Sequence, residues 1–239
     1  MRVASQPAYV LHARAWRETS LLLEVFSRDH GRVGLVARGV RAARARLSRS
    51  ALEPLQELRV DWSGRGDLQT LTAVESAGRV HALRGDRLLS ALYVNELLVR
   101  LTARDDPHPG LFERYRGLLE ELVATPSLAW CLRRFERDLL AAAGYALQLE
   151  STADGSAPVE PARDYDYLPE QGPVAATGSA RDGVRIRGSA LLALAIDAVP
   201  PAAEDLAALR RLMRVLIGAH VGQRGLQSWR VLAGPINSA

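Results

Sequence analysis

The fold is decided by residues 20–39, which read SLLLEVFSRDHGRVGLVARG. Two short apolar runs, 21–26 and 33–37, lie on either side of a turn that ends at Gly31. Runs of this length around a glycine-containing turn predict a β-hairpin. The hairpin supplies two neighbouring strands, and the segments on either side of it extend the sheet.

These flanking segments also have β character. Residues 8–14 and 58–62 alternate in side-chain character along the chain, as half-buried strands do. A glycine-containing turn at 63–67 then leads into a further apolar run at 68–74. Five short strands with little helix between them predict a small Greek-key barrel of the OB type.

The apolar period changes to that of helices after residue 85. We predict helices from Asp86 onward, over 108–124, from Thr125 and Pro126 to Gly144, and near 188–198 and 204–221. The residues between about 150 and 187 are rich in Ser, Gly, Pro and Asp and predict irregular structure with a short hairpin. The predicted fold class is therefore α+β, with an OB-fold barrel at 1–80, a helical domain at 81–239 and a small irregular insert.

Charge is concentrated in the barrel. The chain has 239 residues and a net charge of +4, and all 31 basic residues are arginine. Residues 1–80 contain 13 arginines and 8 acidic residues, a net charge of +5. Cys131 is the only cysteine, which excludes an intramolecular disulfide, and no apolar run is long enough to span a bilayer. With no secretory signal at its N-terminus, the chain is expected to be cytoplasmic.

The connection between the third and fourth strands reads RGVRAARARLSR and contains no acidic residue. A row of guanidinium groups beside a β-surface suits a polyanion with repeating phosphates. A solvated loop with no partner is the alternative. The candidate DNA-binding residues of this connection are Arg38, Arg41, Arg44, Arg46 and Arg49.

No arrangement of residues indicates catalysis. The five histidines are not at metal-ligand spacing, and the chain has no Walker loop and no Gly-x-Ser-x-Gly motif. Asn95 and Glu96 form a polar pair within an apolar helix, which indicates either a buried hydrogen-bond network or a partner contact. We predict a binding protein with no catalytic residues and no metal site.

Several short motifs, in order and spacing, resemble the RecO family of bacterial recombination mediators. In the barrel they are AYVLH at 8–12, RETSL at 17–21, and SGRGDL at 63–68. In the helical region they are YVNELL at 93–98 and LRRFE at 132–136, with a weaker match at 222–228. The resemblance covers most of the chain.

The resemblance implies a non-enzymatic, nucleoid-associated protein of the RecF pathway of DNA repair. Such proteins bind single- and double-stranded DNA, anneal complementary strands and bind the acidic C-terminal tail of single-stranded DNA-binding protein. With RecR they promote RecA loading, so RecA and a RecF-type protein are indirect partners. The family places DNA-binding charge on the basic connection, to which we add Arg65. Arg133 matches a family position associated with binding of the tail, and we include Arg134 beside it. A solvated helix face is the alternative for both arginines.

The chain departs from the family where many members carry four cysteines that form a structural zinc site. Residues 149–183 contain no cysteine, so we expect no zinc and no other cofactor. Gln223 and Gln227 stand where lysine is common in the family, which weakens the case for DNA binding by the C-terminus.

Two other classes of function remain open. An RNA-binding OB protein acting in translation or RNA processing would explain the basic barrel but leaves the helical domain unexplained. A nuclease is disfavoured because carboxylates and histidines do not cluster. Aromatic residues are scarce, so we expect DNA affinity to come mainly from arginine–phosphate contacts, with log K falling against log salt at a slope of roughly −3 for about four contacts.

Overall fold

A computed structural model describes residues 2–40, 49–78, 81–176, 183–198, 201–222 and 225–232. The first strands are β1 (Arg2–Trp16), β2 (Ser20–Ser27) and β3 (Gly31–Ala37). A short 3-10 helix (Arg49–Leu52) precedes β4 (Glu57–Ser63) and β5 (Gln69–Ser76). These five strands form a closed barrel in the order β1-β2-β3-β5-β4. The order is that of an OB fold and confirms the predicted fold class.

The barrel is followed by helices α1 (Gly85–Leu101), α2 (Pro109–Ala124) and α3 (Leu128–Ala142). A three-stranded sheet then forms, followed by three more helices. The strands are β6 (Asp164–Leu168), β7 (Gly172–Ala175) and β8 (Val184–Arg187), and the helices are α4 (Gly188–Ala195), α5 (Ala203–Val221) and α6 (Gln227–Leu232).

Two details differ from the sequence prediction. Helix α3 does not begin at Thr125 and Pro126: Ser127 is its N-cap, and the Ser127 hydroxyl accepts a hydrogen bond from Trp130 N. The segment at 150–187 is more regular than predicted, because β6 pairs antiparallel with both β7 and β8.

The chain divides into two compact units. One comprises Met1–Ala124 together with Leu226–Ala239, and the other comprises Thr125–Gly225. Helices α1 and α2 therefore belong to the same compact unit as the barrel, although they lie beyond the boundary predicted at residue 80. The second unit interrupts the first one in the sequence.

Strand β2 is buried on both faces, which explains why its sequence is a continuous apolar run. Its inward side chains, including Leu23 and Val25, fill the barrel core. On its outward side, the ring centroid of Phe26 lies 5.6 Å from that of Phe112 on α2. A strand covered on both sides cannot show the alternation of a half-exposed strand.

Asn95 belongs to a buried hydrogen-bond network rather than to an exposed surface. The pairing of β1 with β2 shifts between Val10 and His12, which leaves Leu11 in a β-bulge. Asn95 Nδ2 donates to the Leu11 carbonyl at 3.1 Å, and Tyr115 Oη donates to Asn95 Oδ1 at 2.6 Å. Burial raises the pKa of Tyr115 well above its ordinary value, so this hydroxyl stays protonated and available as a donor.

We expect Asn95→Ala to lower the free energy of unfolding by about 2 kcal/mol, because the Leu11 carbonyl and the Tyr115 hydroxyl both lose a buried partner. Urea unfolding measures the loss. Tyr115→Phe is the control, since it leaves the bond between Asn95 and Leu11 in place, and we expect it to cost about half as much. Equal stability of Asn95→Ala and wild type would contradict the assignment.

Candidate nucleic-acid interface

One end of the barrel carries several exposed arginines. The pairs Trp16–Ser20 and Leu21–Ala37 place the β1–β2 turn and the end of β3 at this same end. A groove of about 340 Å³ beside the 3-10 helix brings Arg49 next to the second half of β1. We call this region the arginine end and define it by four exposed residues: Arg14, Arg17, Arg38 and Arg49.

The arginine end contains two of the predicted DNA-binding residues, Arg38 and Arg49. Arg41, Arg44 and Arg46 lie outside the described residues, so their assignment stays a prediction. Carboxylates at this end come from Glu18 in the β1–β2 turn and Glu53 in the groove. The arginines outnumber them, which favours binding of a phosphate backbone.

Sequence reasoning did not single out Arg14 and Arg17. Both are exposed, and Arg17 begins the β1–β2 turn with φ of 53°. In OB folds this turn is one of the regions that bind oligonucleotides. The sequence places these two arginines around the end of a predicted strand, but the DNA-binding prediction was based on the denser run of arginines at 38–49.

Arg65 has different surroundings. It is exposed in the β4–β5 loop, beside the turn between β2 and β3. The groove there, of about 480 Å³, is also lined by Asp29, Asp67 and Asp105. Three nearby carboxylates make this groove less favourable for phosphate than the arginine end. The assignment of Arg65 to DNA binding stays a prediction.

Part of the outer face of β2 and β3 is closed by the polypeptide itself. Glu24 accepts hydrogen bonds from Arg32 and from Arg104, which follows α1. Arg32 also donates to the Thr102 carbonyl at 2.9 Å. A Cβ atom at Gly31 would lie 2.0 Å from the Asp106 carbonyl oxygen, so only glycine allows this close approach. Among the described residues, these contacts cover the part of this face that lies towards the β2–β3 turn, at the opposite end from the arginine end.

Arg133 is buried, unlike a typical peptide-binding arginine. Its Nη2 lies 2.5 Å from Glu136 Oε1, and the two side chains are 7% and 0% exposed. Arg134 beside it is half-buried. A partner carboxylate would have to reach a guanidinium that is nearly closed to solvent and already pairs with Glu136. The assignment of Arg133 and Arg134 to tail binding stays a prediction.

The region where many family members hold zinc is organised by hydrogen bonds in this chain. Asp154 accepts hydrogen bonds from the Thr152 hydroxyl and from the backbone and hydroxyl of Ser156. These bonds lower the pKa of Asp154 to about 2. Within the described ranges, no group of three or more His, Cys, Asp or Glu residues could hold a metal ion. The residues that are described in this region do not fit a zinc site.

Comparisons with known proteins agree with this architecture. The family model described as recombination protein O N terminal matches residues 1–79, and the one described as recombination protein O C terminal matches residues 83–230. The chain belongs to the recombination protein O family. This confirms the resemblance to RecO found in the sequence, and with it membership of a DNA repair and recombination family.

Individual relatives match over nearly the whole chain. A DNA repair protein RecO of Stenotrophomonas maltophilia is 46% identical over 235 residues, which cover 97% of both chains. A protein of the same name from Xanthomonas oryzae is 45% identical over 235 residues, with the same coverage. One from Nitrosococcus oceani is 46% identical over 228 residues, covering 95% of this chain and 92% of the relative. In the part of the chain that is described, no helix is long and apolar enough to cross a membrane.

Proposed function

We propose that this protein is a non-enzymatic DNA-binding mediator of recombinational repair. It binds single- and double-stranded DNA through the arginine end and the adjoining basic connection, and it anneals complementary strands. The observation that carries the proposal is the arginine end on an OB barrel, in a chain of the RecO family. Guanidinium groups neutralise phosphates whatever the sequence, so binding is largely sequence-independent.

The proposal includes protein partners. The acidic tail of single-stranded DNA-binding protein binds the unit at 125–225, and RecR joins the complex to load RecA onto covered gaps. A tail that ends in an apolar residue and carboxylates is recognised by an apolar pocket with arginine at its rim. Arg133 and Arg134 are the candidate contacts.

Fluorescence anisotropy across a salt series tests the proposal with three probes: labelled oligo-dT, matched RNA, and a labelled peptide that copies the acidic tail. We expect DNA to bind with a slope of log K against log salt of about −3, if about four arginines of the arginine end and the basic connection contact phosphates at once and each contact releases about 0.7 counterions. We expect the peptide to bind as well, with only partial competition from DNA.

The other outcomes separate the competing functions. Tighter binding of RNA than of DNA would favour a role in RNA processing. Absence of binding to oligo-dT would overturn the proposal. Cleavage of labelled DNA in the presence of Mg²⁺ would overturn its non-enzymatic part.

A further inference from the structure

Trp16 differs from the other aromatic residues of the barrel in its exposure. Residues 1–80 contain four aromatic residues, and three of them, Tyr9, Phe26 and Trp62, are at most 1% exposed. Tyr9 and Phe26 contact aromatic residues of α2, and Trp62 belongs to the barrel core. Trp16 alone is partly open to solvent.

Trp16 lies next to two residues of the arginine end along the chain. It is the last residue of β1 and pairs with Ser20, while Arg14 pairs with Leu22. Because side chains alternate along a strand, Arg14 and Trp16 lie on the same outer face as Glu24 and Phe26. Arg17 follows at once in the turn. Trp16 is thus flanked along the chain by two exposed arginines.

Part of the outer face of the barrel is covered, so few positions on it are available for a stacked base. Towards the β2–β3 turn, the face is occupied by Phe112 against Phe26 and by Arg104 against Glu24. A base that reaches the outer face of β1 and β2 therefore meets it at the end where Trp16 lies. Stacking on an aromatic side chain is sequence-tolerant, as every base has a π-face.

We propose that Trp16 stacks on a base of single-stranded DNA whose adjacent phosphates are bound by Arg14 and Arg17. The inference rests on the proposed function and adds a base contact that arginine–phosphate pairing lacks. Stacking on Trp16 also predicts that the barrel prefers an unpaired strand, because both faces of a base within a duplex are already stacked on its neighbours.

The test compares Trp16→Ala and Trp16→Phe with wild type, using oligo-dT and an abasic oligonucleotide of equal length. We expect Trp16→Ala to weaken oligo-dT binding about 5- to 30-fold, with most of the affinity restored by phenylalanine. The salt slope should stay unchanged, because stacking releases no counterions. The abasic strand should bind wild type and Trp16→Ala equally.

Val123→Ala is the matched control, since Val123 is an apolar residue of the same compact unit and is 51% exposed. Thermal unfolding checks that all variants are folded. Equal loss of affinity for the abasic strand would mean that Trp16 only positions the turn, which overturns the inference. Unchanged binding of oligo-dT by Trp16→Ala also overturns the inference, but the proposed function stands as long as the wild-type protein binds oligo-dT. A wild-type protein that binds no DNA overturns both the inference and the proposed function.

Discussion

Replacing Arg41, Arg44 and Arg46 together by alanine lowers the affinity for single-stranded DNA about a hundredfold near 0.1 M salt. Each lost phosphate contact removes about 0.7 from the salt slope, so the slope becomes less steep by about 2. The expectation comes from the sequence, in which these arginines form the middle of a connection without carboxylates. Anisotropy across a salt series measures both quantities, and strand annealing should slow in parallel.

A control with the same loss of charge separates specific contacts from net charge. Arg163, Arg210 and Arg211 are exposed residues of the other compact unit. Replacing these three by alanine should change affinity only a few-fold, through the weaker long-range field. If the two triple variants behave alike, the basic connection has no special role.

Arg133→Ala lowers the free energy of unfolding by about 3–5 kcal/mol, because it removes the guanidinium that pairs with the buried Glu136 carboxylate. Glu136→Ala has the same consequence, because it removes the carboxylate that pairs with the Arg133 guanidinium. The double variant Arg133→Met, Glu136→Leu removes both charges and should regain most of the stability. Urea unfolding of the four proteins measures the two losses and the recovery in the double variant.

Glu160 and Arg163 provide the matched control, as they form an ion pair with the same i,i+3 spacing but with side chains 52% and 63% exposed. Arg163→Ala should cost less than about 1 kcal/mol. A loss of similar size for Arg133→Ala would show that the buried pair contributes no more than a surface pair.

The buried pair also determines how tail binding should be tested. A single Arg133→Ala variant confounds loss of a contact with loss of folded protein. The double variant avoids this problem. If it is folded, binds DNA normally and no longer binds the tail peptide, Arg133 contacts the tail; if it binds the peptide as wild type does, Arg133 is purely structural.

The barrel could be predicted from sequence because its signals are local. Glycine-containing turns separate short runs of strand-forming residues, and the RecO-family motifs at 8–12, 17–21 and 63–68 lie in these strands and turns. Whether a strand is covered by a helix that is distant in the sequence cannot be inferred from the residues of the strand. The run at 21–26 indicates a buried strand, yet nothing in it specifies that Phe112 covers Phe26 from outside the barrel.

The candidate site was predicted only in part for the same reason. The density of arginine along the chain identified 38–49, whereas Arg14 and Arg17 join Arg38 only through strand pairing. In LRRFE, an arginine and a glutamate three residues apart fit a solvated helix face as well as a buried pair. Only packing decides between these readings, and it places Arg133 and Glu136 inside.

The last helix has a consequence for how the chain folds during synthesis. Both carboxylate oxygens of Glu96 accept hydrogen bonds from the first backbone N–H groups of α6, at Gln227 and Ser228. The unit that starts at the first residue is thus completed by residues near the end of the chain. Until a nascent chain includes α6, Glu96 has no helix N-terminus to cap, and the barrel unit lacks its final helix. A premature stop codon just before residue 226 would therefore destabilise the unit that contains the barrel, although it removes none of the barrel strands.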